Sequence, residues 1–401
     1  MLGDLVHYIG KLSYPLFERF SPAAWNNVPR PSSPRAVTRG AGHDPDRVLL
    51  AGGSSAVGWG VVSHDLALAG YLARATAALT GRGADVEVYA APDLRVPEIR
   101  EYLLAESVSR FDAIVLTLGG RESFELMPTR IWRRDLRALL DAILADRAVA
   151  PGVIIVGAEE VSPVPLGRLI NAIAMAKARA LNRATRDLIA DLPRVSYVDS
   201  AMIPSPHDRH GVLDIDNAEL YDRSARRIAP LLAGMLDRLP DRVREPVDDA
   251  ARGAAIARLG EDGARSDPRL RNLLVTARDV LHMRSADLFL VDHDEVRLIA
   301  ATSVSVERSP RTDALSSEAL EHRTGLVIPD LSADPRHRDR APVAGPPYLR
   351  FYAGYPVESP DGQRVGVLSV VDTRPRELSA AELSLLRGFA HQAGALLFRS
   401  P

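Results

Sequence analysis

The chain has no cysteine. Disulfides, thiolate metal sites, cysteine nucleophiles and thioether-linked chromophores are therefore excluded, and a reducing, cytoplasmic setting is expected. A surplus of one charge is also lacking. The 50 basic residues stand against 52 acidic ones, a formal net charge of -2, so the basic footprint of a nucleic-acid binder is missing. No apolar run is long enough to span a bilayer. The first residues, Met1–Phe20, carry Asp4, Lys11, Glu18 and Arg19, and no small-residue cleavage site follows. Neither a signal peptide nor a membrane-spanning helix is expected there. Leu2, Leu5, Val6, Ile9, Leu12, Leu16 and Phe17 do recur at helical spacing, with a break at Pro15. Packing on its own domain is the favoured reading of that stripe over contact with a membrane.

The composition, 46% hydrophobic and 25% charged, is that of an ordinary globular protein, and 401 residues suffice for two or three domains. Residues 21–46 hold Pro22, Pro29, Pro31, Pro34 and Pro45 and read as a linker or draped loop, so 1–46 is set apart as an N-terminal helix and Pro-rich linker. From 47 to 240 short apolar runs (Val48–Ala51, Val86–Ala90, Ala113–Leu118, Val153–Val156 and Val195–Val198) alternate with long helical stretches. That pattern predicts an α/β domain with a flavodoxin-like parallel sheet covered on both faces. Residues 241–267 read as a linker with a short helix near Ala250–Leu259. From 268 to 401 the pattern predicts an α+β domain with an antiparallel sheet. Its strands are expected at Ala286–Val291, Val296–Ala301, Leu326–Ile328, Phe351–Val357 and Arg364–Val371, and its closing helix at Ala380–Phe398.

The strongest chemical signal is Gly52-Gly53-Ser54-Ser55-Ala56-Val57-Gly58, directly after the first predicted parallel strand. A serine on a tight turn there is exposed at the crevice where open α/β sheets bind ligands. Spacing alone leaves a phosphate loop open, although the P-loop lysine is missing. The segment resembles the first block of the SGNH (GDSL-type) hydrolases, Gly-Asp-Ser-x-x-x-Gly, with Ser54 at the nucleophile, Gly58 at the trailing glycine and Gly53 in place of the aspartate. The resemblance runs over about 47–235. At the second block Ala91 stands nearest the oxyanion-hole glycine. At the third, Gly119-Gly120-Arg121-Glu122 stands for Gly-x-Asn-Asp, so Gly120 and Arg121 mark the oxyanion or anion-site region. The last block should supply a histidine before the final helix, where Ile215 or Glu219 aligns instead.

Serine is a weak nucleophile without an adjacent base. The degenerate blocks therefore imply a pseudoenzyme that serves as a binding scaffold. His207 and His210 are candidate replacement bases, with Asp208 or Asp214 to orient them, although solvated loop histidines are the favoured reading. The competing reading is a serine esterase or lipase-like hydrolase acting through Ser54. Arg121 is balanced between an anion site and a salt bridge to Glu122 or Glu125. Trp59 could line a pocket, with core packing favoured.

In the second half, Leu349-Arg350-Phe351-Tyr352-Ala353-Gly354-Tyr355-Pro356-Val357 and Gly362-Gln363-Arg364-Val365-Gly366-Val367-Leu368-Ser369-Val370-Val371-Asp372 resemble GAF domains of bacterial signalling proteins. Val327-Ile328-Pro329-Asp330-Leu331 and Arg374-Pro375-Arg376-Glu377-Leu378 extend the likeness over about 268–398. The resemblance implies a small-molecule ligand between the sheet and its covering loops, with Phe351, Tyr352 and Tyr355 as wall candidates, plain core packing being slightly favoured. Ser369 stands where many relatives have cysteine, and the cyclic-nucleotide signature Asn-Lys-x-Phe-Asp is absent. No cofactor and no metal are expected, since His322 or His337 would need a partner set. The heptad-like spacing of the closing helix suggests a homodimer, or a stripe that covers its own sheet. With no output domain in the sequence, a downstream signalling protein is the expected partner.

Overall fold

The computed structural model describes residues 28–105, 108–145, 151–159, 168–200, 217–239, 249–259, 264–265, 267–303 and 307–398. They divide into two compact units. The first takes the residues up to Gly40 and Pro45–Leu239, and the second takes Ala41–Asp44 and the residues beyond Leu239.

In chain order the first unit holds β1 (Arg35–Gly40), β2 (Asp46–Gly52), α1 (Leu68–Thr80), β3 (Ala84–Ala90), α2 (Val96–Ala105) and β4 (Ala113–Thr117). Then come α3 (Gly120–Phe124), α4 (Thr129–Ile143), β5 (Gly152–Val156), α5 (Arg168–Ile189), β6 (Val195–Val198) and α6 (Asn217–Leu236). The sheet order is β1-β3-β2-β4-β5-β6. All neighbours from β3 to β6 pair in parallel. The five parallel strands are those the apolar runs predict. They are covered on both faces, which is why they read as continuous hydrophobic runs rather than alternating ones. Val48 and Leu50 of β2 join the core under α1 and α6, with Leu68, Leu72, Ile228 and Leu232. Leu49 and Ala51 face the other way, toward Ile99, Trp132, Leu136 and Leu181 of α2, α4 and α5. Each fully buried leucine contributes about 2 kcal/mol of transfer free energy.

The sixth strand departs from the linker expected at 21–46. Arg35–Gly40 forms β1, antiparallel to β3 from Arg35↔Tyr89 to Gly40↔Ala84. The prolines of that segment all lie outside Arg35–Gly40. An edge strand needs only one hydrogen-bonded side, which the intervening Ala36-Val37-Thr38 supplies.

The second unit holds α7 (Asp249–Ala257), α8 (Pro268–Val280), β7 (Ser285–Val291), β8 (Glu295–Ala301), β9 (Arg308–Pro310) and α9 (Leu315–Glu321). It continues with β10 (Leu326–Ile328), α10 (Ala341–Ala344), β11 (Phe351–Glu358), β12 (Arg364–Asp372) and α11 (Ala380–Leu397). Its sheet, ordered β10-β11-β12-β7-β8-β9, is antiparallel throughout. Alternation sorts the strands' side chains. Ala286, Leu288, Leu290, Phe351, Ala353 and Tyr355 pack with Leu274 of α8 and with Leu386, Phe389 and Ala393 of α11. Val291, Tyr352 and Val367 face the other way and pack with Leu320 of α9. The stripe on α11 thus covers the domain's own sheet. That helix starts on a capping box, with Ser379 Oγ accepting from the Glu382 N–H and Glu382 accepting from the Ser379 N–H.

Candidate functional site

β2 ends in Gly52-Gly53, and the next residue is the motif serine. Gly52 has φ +138°, and a Cβ there would lie 2.1 Å from the Thr117 carbonyl of β4. Only glycine lets the two strand ends close so tightly. Thr117 fixes the turn: its Oγ1 donates to the Gly53 carbonyl at 2.8 Å, and its own carbonyl accepts the Gly53 N–H at 3.1 Å. Ser54 then opens a single 3-10 turn, Ser54–Val57, that closes on Gly58 in the left-handed region. Ser54 itself has φ +52°, a conformation that costs a non-glycine residue about 1–2 kcal/mol and that is found at functional turns.

The Ser54 Oγ donates a hydrogen bond to Glu159 Oε1. Glu159 follows β5, and its approach is rigid. The Asn182 side chain of α5 accepts the Ala158 N–H at 2.8 Å and donates to the Ala158 carbonyl at 3.0 Å. Gly157 packs against the hydroxyl end of Tyr197: a Cβ at that position would be 2.0 Å from the tyrosine oxygen. Burial holds the Glu159 carboxyl pKa above the ordinary range, against the lowering effect of the Ser54 hydroxyl. Its charge in turn adds to the burial that raises the pKa of Tyr221. The hydroxyl of Tyr221 donates to the Trp59 carbonyl at 2.8 Å.

The structure brings Gly120 to this serine, since a Cβ on Gly120 would lie 3.5 Å from the Ser54 Cβ. It ties Arg121 elsewhere. Arg121 Nε donates to Glu125 Oε1 at 2.8 Å, and Arg95 reaches the same oxygen at 2.7 Å. The salt bridge weighed for Arg121 is formed, with Glu125 as its partner. Behind the Gly119-Gly120 turn sits Glu122, whose Oε2 accepts the Gly119 N–H at 3.1 Å. It is buried, which pushes its carboxyl pKa up to about 7. Trp59 is half-buried under the Arg30 guanidinium. His207 and His210, with Asp208, Asp214 and Ile215, lie outside the described residues. Among the described residues of the first unit the single histidine is His64, whose Nε2 lies 2.9 Å from the Ser33 carbonyl.

Sequence reasoning missed Glu159. The signal available was topological: a carboxylate three residues past β5, at the same end of the sheet as Ser54 and Gly120, converges on their crevice.

In the second unit the three aromatic wall candidates do not share a face. Phe351 and Tyr355 belong to the core under α8 and α11. Tyr352 lies on the opposite face, beside Ser316 and Glu318 of α9, Asp287 of β7 and Ser369 of β12. Tyr352 lies along its own strand: the would-be Cβ of Gly354 falls 2.4 Å from its hydroxyl oxygen. His337, 1% exposed, sits 3.4 Å from Glu318 and 3.7 Å from Asp334. Burial nonetheless holds its pKa below the usual imidazole value. Among the described residues no group of three or more histidine, aspartate or glutamate side chains is placed to hold a metal ion.

Two family models match this chain. The GDSL-like Lipase/Acylhydrolase family covers residues 50–225, and the GAF domain covers residues 266–397. The chain joins a GDSL-like domain to a C-terminal GAF domain. A cyclic di-GMP phosphodiesterase of Pseudomonas aeruginosa is 31% identical over 148 residues, 36% of this chain. The chain spans about a quarter of that relative's length: the match covers 25% of it. Among solved structures, the native aryl esterase of M. smegmatis shares 16% identity at a TM-score of 0.37, covering 47% of this chain and 99% of its own. The GAF domain of an Acinetobacter phosphoenolpyruvate-protein phosphotransferase shares 16% at a TM-score of 0.29, covering 38% and 94%. No helix among the described residues is long and apolar enough to cross a membrane.

Proposed function

We propose that the chain is a cytoplasmic sensory or regulatory protein. In it the GAF domain receives a small molecule, and the GDSL-like domain binds a second ligand at the Ser54 crevice without hydrolysing it. The observation that carries this reading is the state of the family's charge-stabilising position. Arg121 stands where the side-chain amide donor belongs, and its guanidinium is held by Glu125. Losing one oxyanion donor costs about 10²–10³ in rate. Output would pass to a downstream signalling protein. The chain would act as a homodimer, which light scattering tests: a monomeric mass removes that part of the proposal.

One observation favours a second reading, a GAF-regulated serine esterase. The Ser54 hydroxyl already has a proton acceptor, Glu159, and burial raises that carboxyl's pKa, which makes it a stronger base than an exposed glutamate. In this reading Glu159 removes the Ser54 proton as Oγ attacks an ester carbonyl. It returns that proton to the departing alcohol, and water attacks the acyl-serine in a second round. Glu159 would then be neutral while the oxyanion exists, so it would not oppose it. The N–H groups of Ser54 and Gly120 would receive that oxyanion, and His207 or His210 would be the competing bases. Hydrolysis of p-nitrophenyl acetate by wild type, Ser54→Ala and Glu159→Gln separates the readings. Rates equal to that of Ser54→Ala support a binding module. Turnover that vanishes in Ser54→Ala and falls at least about a hundredfold in Glu159→Gln establishes the esterase and its base.

A further inference from the structure

The face of the GAF sheet under α9 is apolar at its edges and polar at its centre. Val291, Val296, Leu320, Leu326, Ile328 and Val367 make the apolar part. Between them the register sets Asp287 of β7 beside Ser369 of β12, and Ser369 beside Gly354 of β11. The next row sets Ser285 beside Val371 and Val371 beside Tyr352. Helix α9 packs across β7, β11 and β12 and brings Ser316 and Glu318 to the Tyr352 hydroxyl.

Two features of this layer are unusual for a protein interior. Asp287 is 6% exposed, yet its carboxylate receives one hydroxyl, Ser285 Oγ at 2.8 Å, and no cation pairs with it among the described residues. The Tyr352 hydroxyl is buried in the same layer without a close hydrogen bond, with the side chains of Ser316 and Ser369 as its hydrogen-bonding neighbours; both ring nitrogens of His337 are likewise buried without a close hydrogen bond. Buried charges are ordinarily paired, and buried hydroxyls ordinarily bonded. Leaving them bare is costly, and burial accordingly lifts the Asp287 pKa to about 6. Glu318 adds a second carboxylate to the same layer. Its ion-pair partner is Arg336, 61% exposed, and the His337 ring, whose pKa burial lowers, lies 3.4 Å away.

We propose that the ligand of the GAF domain presents a primary ammonium group to this layer, with Asp287 as its counter-ion and the Tyr352 hydroxyl and Ser369 beside it. The inference rests on the reading of this domain as the small-molecule receiver and adds the chemical class. An ammonium supplies the missing charge and has three donors. One goes to each Asp287 oxygen or to Glu318, and one to the Tyr352 oxygen. An anionic ligand, such as a phosphate or a carboxylate, would meet two carboxylates there and is excluded on charge.

The test is calorimetric unfolding of the full chain, followed at the GAF transition. The cationic probes are ethylamine, putrescine and agmatine; the anionic ones are acetate, inorganic phosphate and GMP. At least one amine is expected to raise the midpoint in wild type, with affinity falling at least about tenfold in Asp287→Asn and less in Tyr352→Phe. The unliganded midpoint of Asp287→Asn is expected to lie at or above that of wild type at pH 8, because the variant removes an unpaired buried charge. Amines that leave the midpoint unmoved, or that act equally on Asp287→Asn, overturn the ammonium assignment. So does an Asp287→Asn protein that unfolds earlier than wild type, which would make the carboxylate a structural acceptor. Stabilisation by an anionic probe, lost in Tyr352→Phe, sinks the ammonium assignment and keeps the receiver reading. No response to any probe of either charge counts against both.

Discussion

Glu122 offers a sharp test of how the Ser54 crevice is built. Its carboxyl is 3% exposed and accepts the Gly119 N–H, so it holds the Gly119-Gly120 turn from behind. Burial is the main cause that lifts its pKa from 4.5 to about 7; the nearby Glu125 charge adds to it and Arg95 opposes it. The folded state therefore binds this proton more tightly than the unfolded chain does. Stability from this group is fully present below about pH 4.5 and is lost as pH rises to about 7. The loss approaches about 3 kcal/mol, from about 1.4 kcal/mol per pH unit. Glu122→Gln keeps an acceptor for Gly119 and carries no charge. It should be neutral at pH 4.5 and more stable than wild type by up to about 3 kcal/mol at pH 8, or about 6–12 °C for a domain of this size. The assay is favourable because Trp25, Trp59 and Trp132, all the tryptophans of the chain, precede the GAF domain. Urea unfolding followed by tryptophan fluorescence thus reports the GDSL-like domain. The wild-type-minus-variant difference across pH 4.5–8 isolates Glu122 from Glu159, which titrates with the same sign. A difference that is flat with pH would refute the buried-carboxyl argument.

Other expectations follow from single contacts. Asn182→Ala leaves the Ala158 N–H and carbonyl without their partner; it should cost about 2–4 kcal/mol in the same fluorescence assay and free Glu159 from Ser54. Gly366→Ala places a Cβ 2.1 Å from the Phe289 carbonyl, so β12 must part from β7. Calorimetry should show the GAF transition destabilised by at least about 3 kcal/mol and the other transition unmoved. Arg364, 8% exposed, donates to the Leu320 and Glu321 carbonyls at the end of α9. Arg364→Met should destabilise the GAF domain by about 1.5–3 kcal/mol, read as a lower calorimetric midpoint.

Strands buried on both faces carry their own signature, so Val48–Ala51 and its four parallel partners could be read directly from the chain. The facing of Phe351 and Tyr355 against Tyr352 follows from alternation, though which face holds a ligand does not. β1 was hidden because proline density around it outweighs three strand-forming residues, and its place is fixed by pairing with β3, from Arg35↔Tyr89 to Gly40↔Ala84, far off in sequence. The turn that carries Ser54 was legible because glycines directly follow a buried strand, and the placement of Gly120 near it came from the family resemblance. Glu159 and Asp287 were not legible. Each is a lone carboxylate with no spacing to mark it, and its character comes from elements distant in sequence. Asn182 and Tyr197 fix the approach to Glu159, and α9 closes over the layer that holds Asp287. A half-buried strand with an aspartate on its second face looks, in sequence, like a strand with a solvated face.

The central claim is that Ser54 serves a binding crevice rather than a working nucleophile. Intact mass spectrometry of the full chain after exposure to a fluorophosphonate addresses it most directly, because the reagent scores nucleophilicity without requiring the natural substrate. The account predicts an unchanged mass for wild type at pH 7–8. A single adduct on Ser54, absent from Glu159→Gln, would contradict it and hand the site to the serine–glutamate esterase.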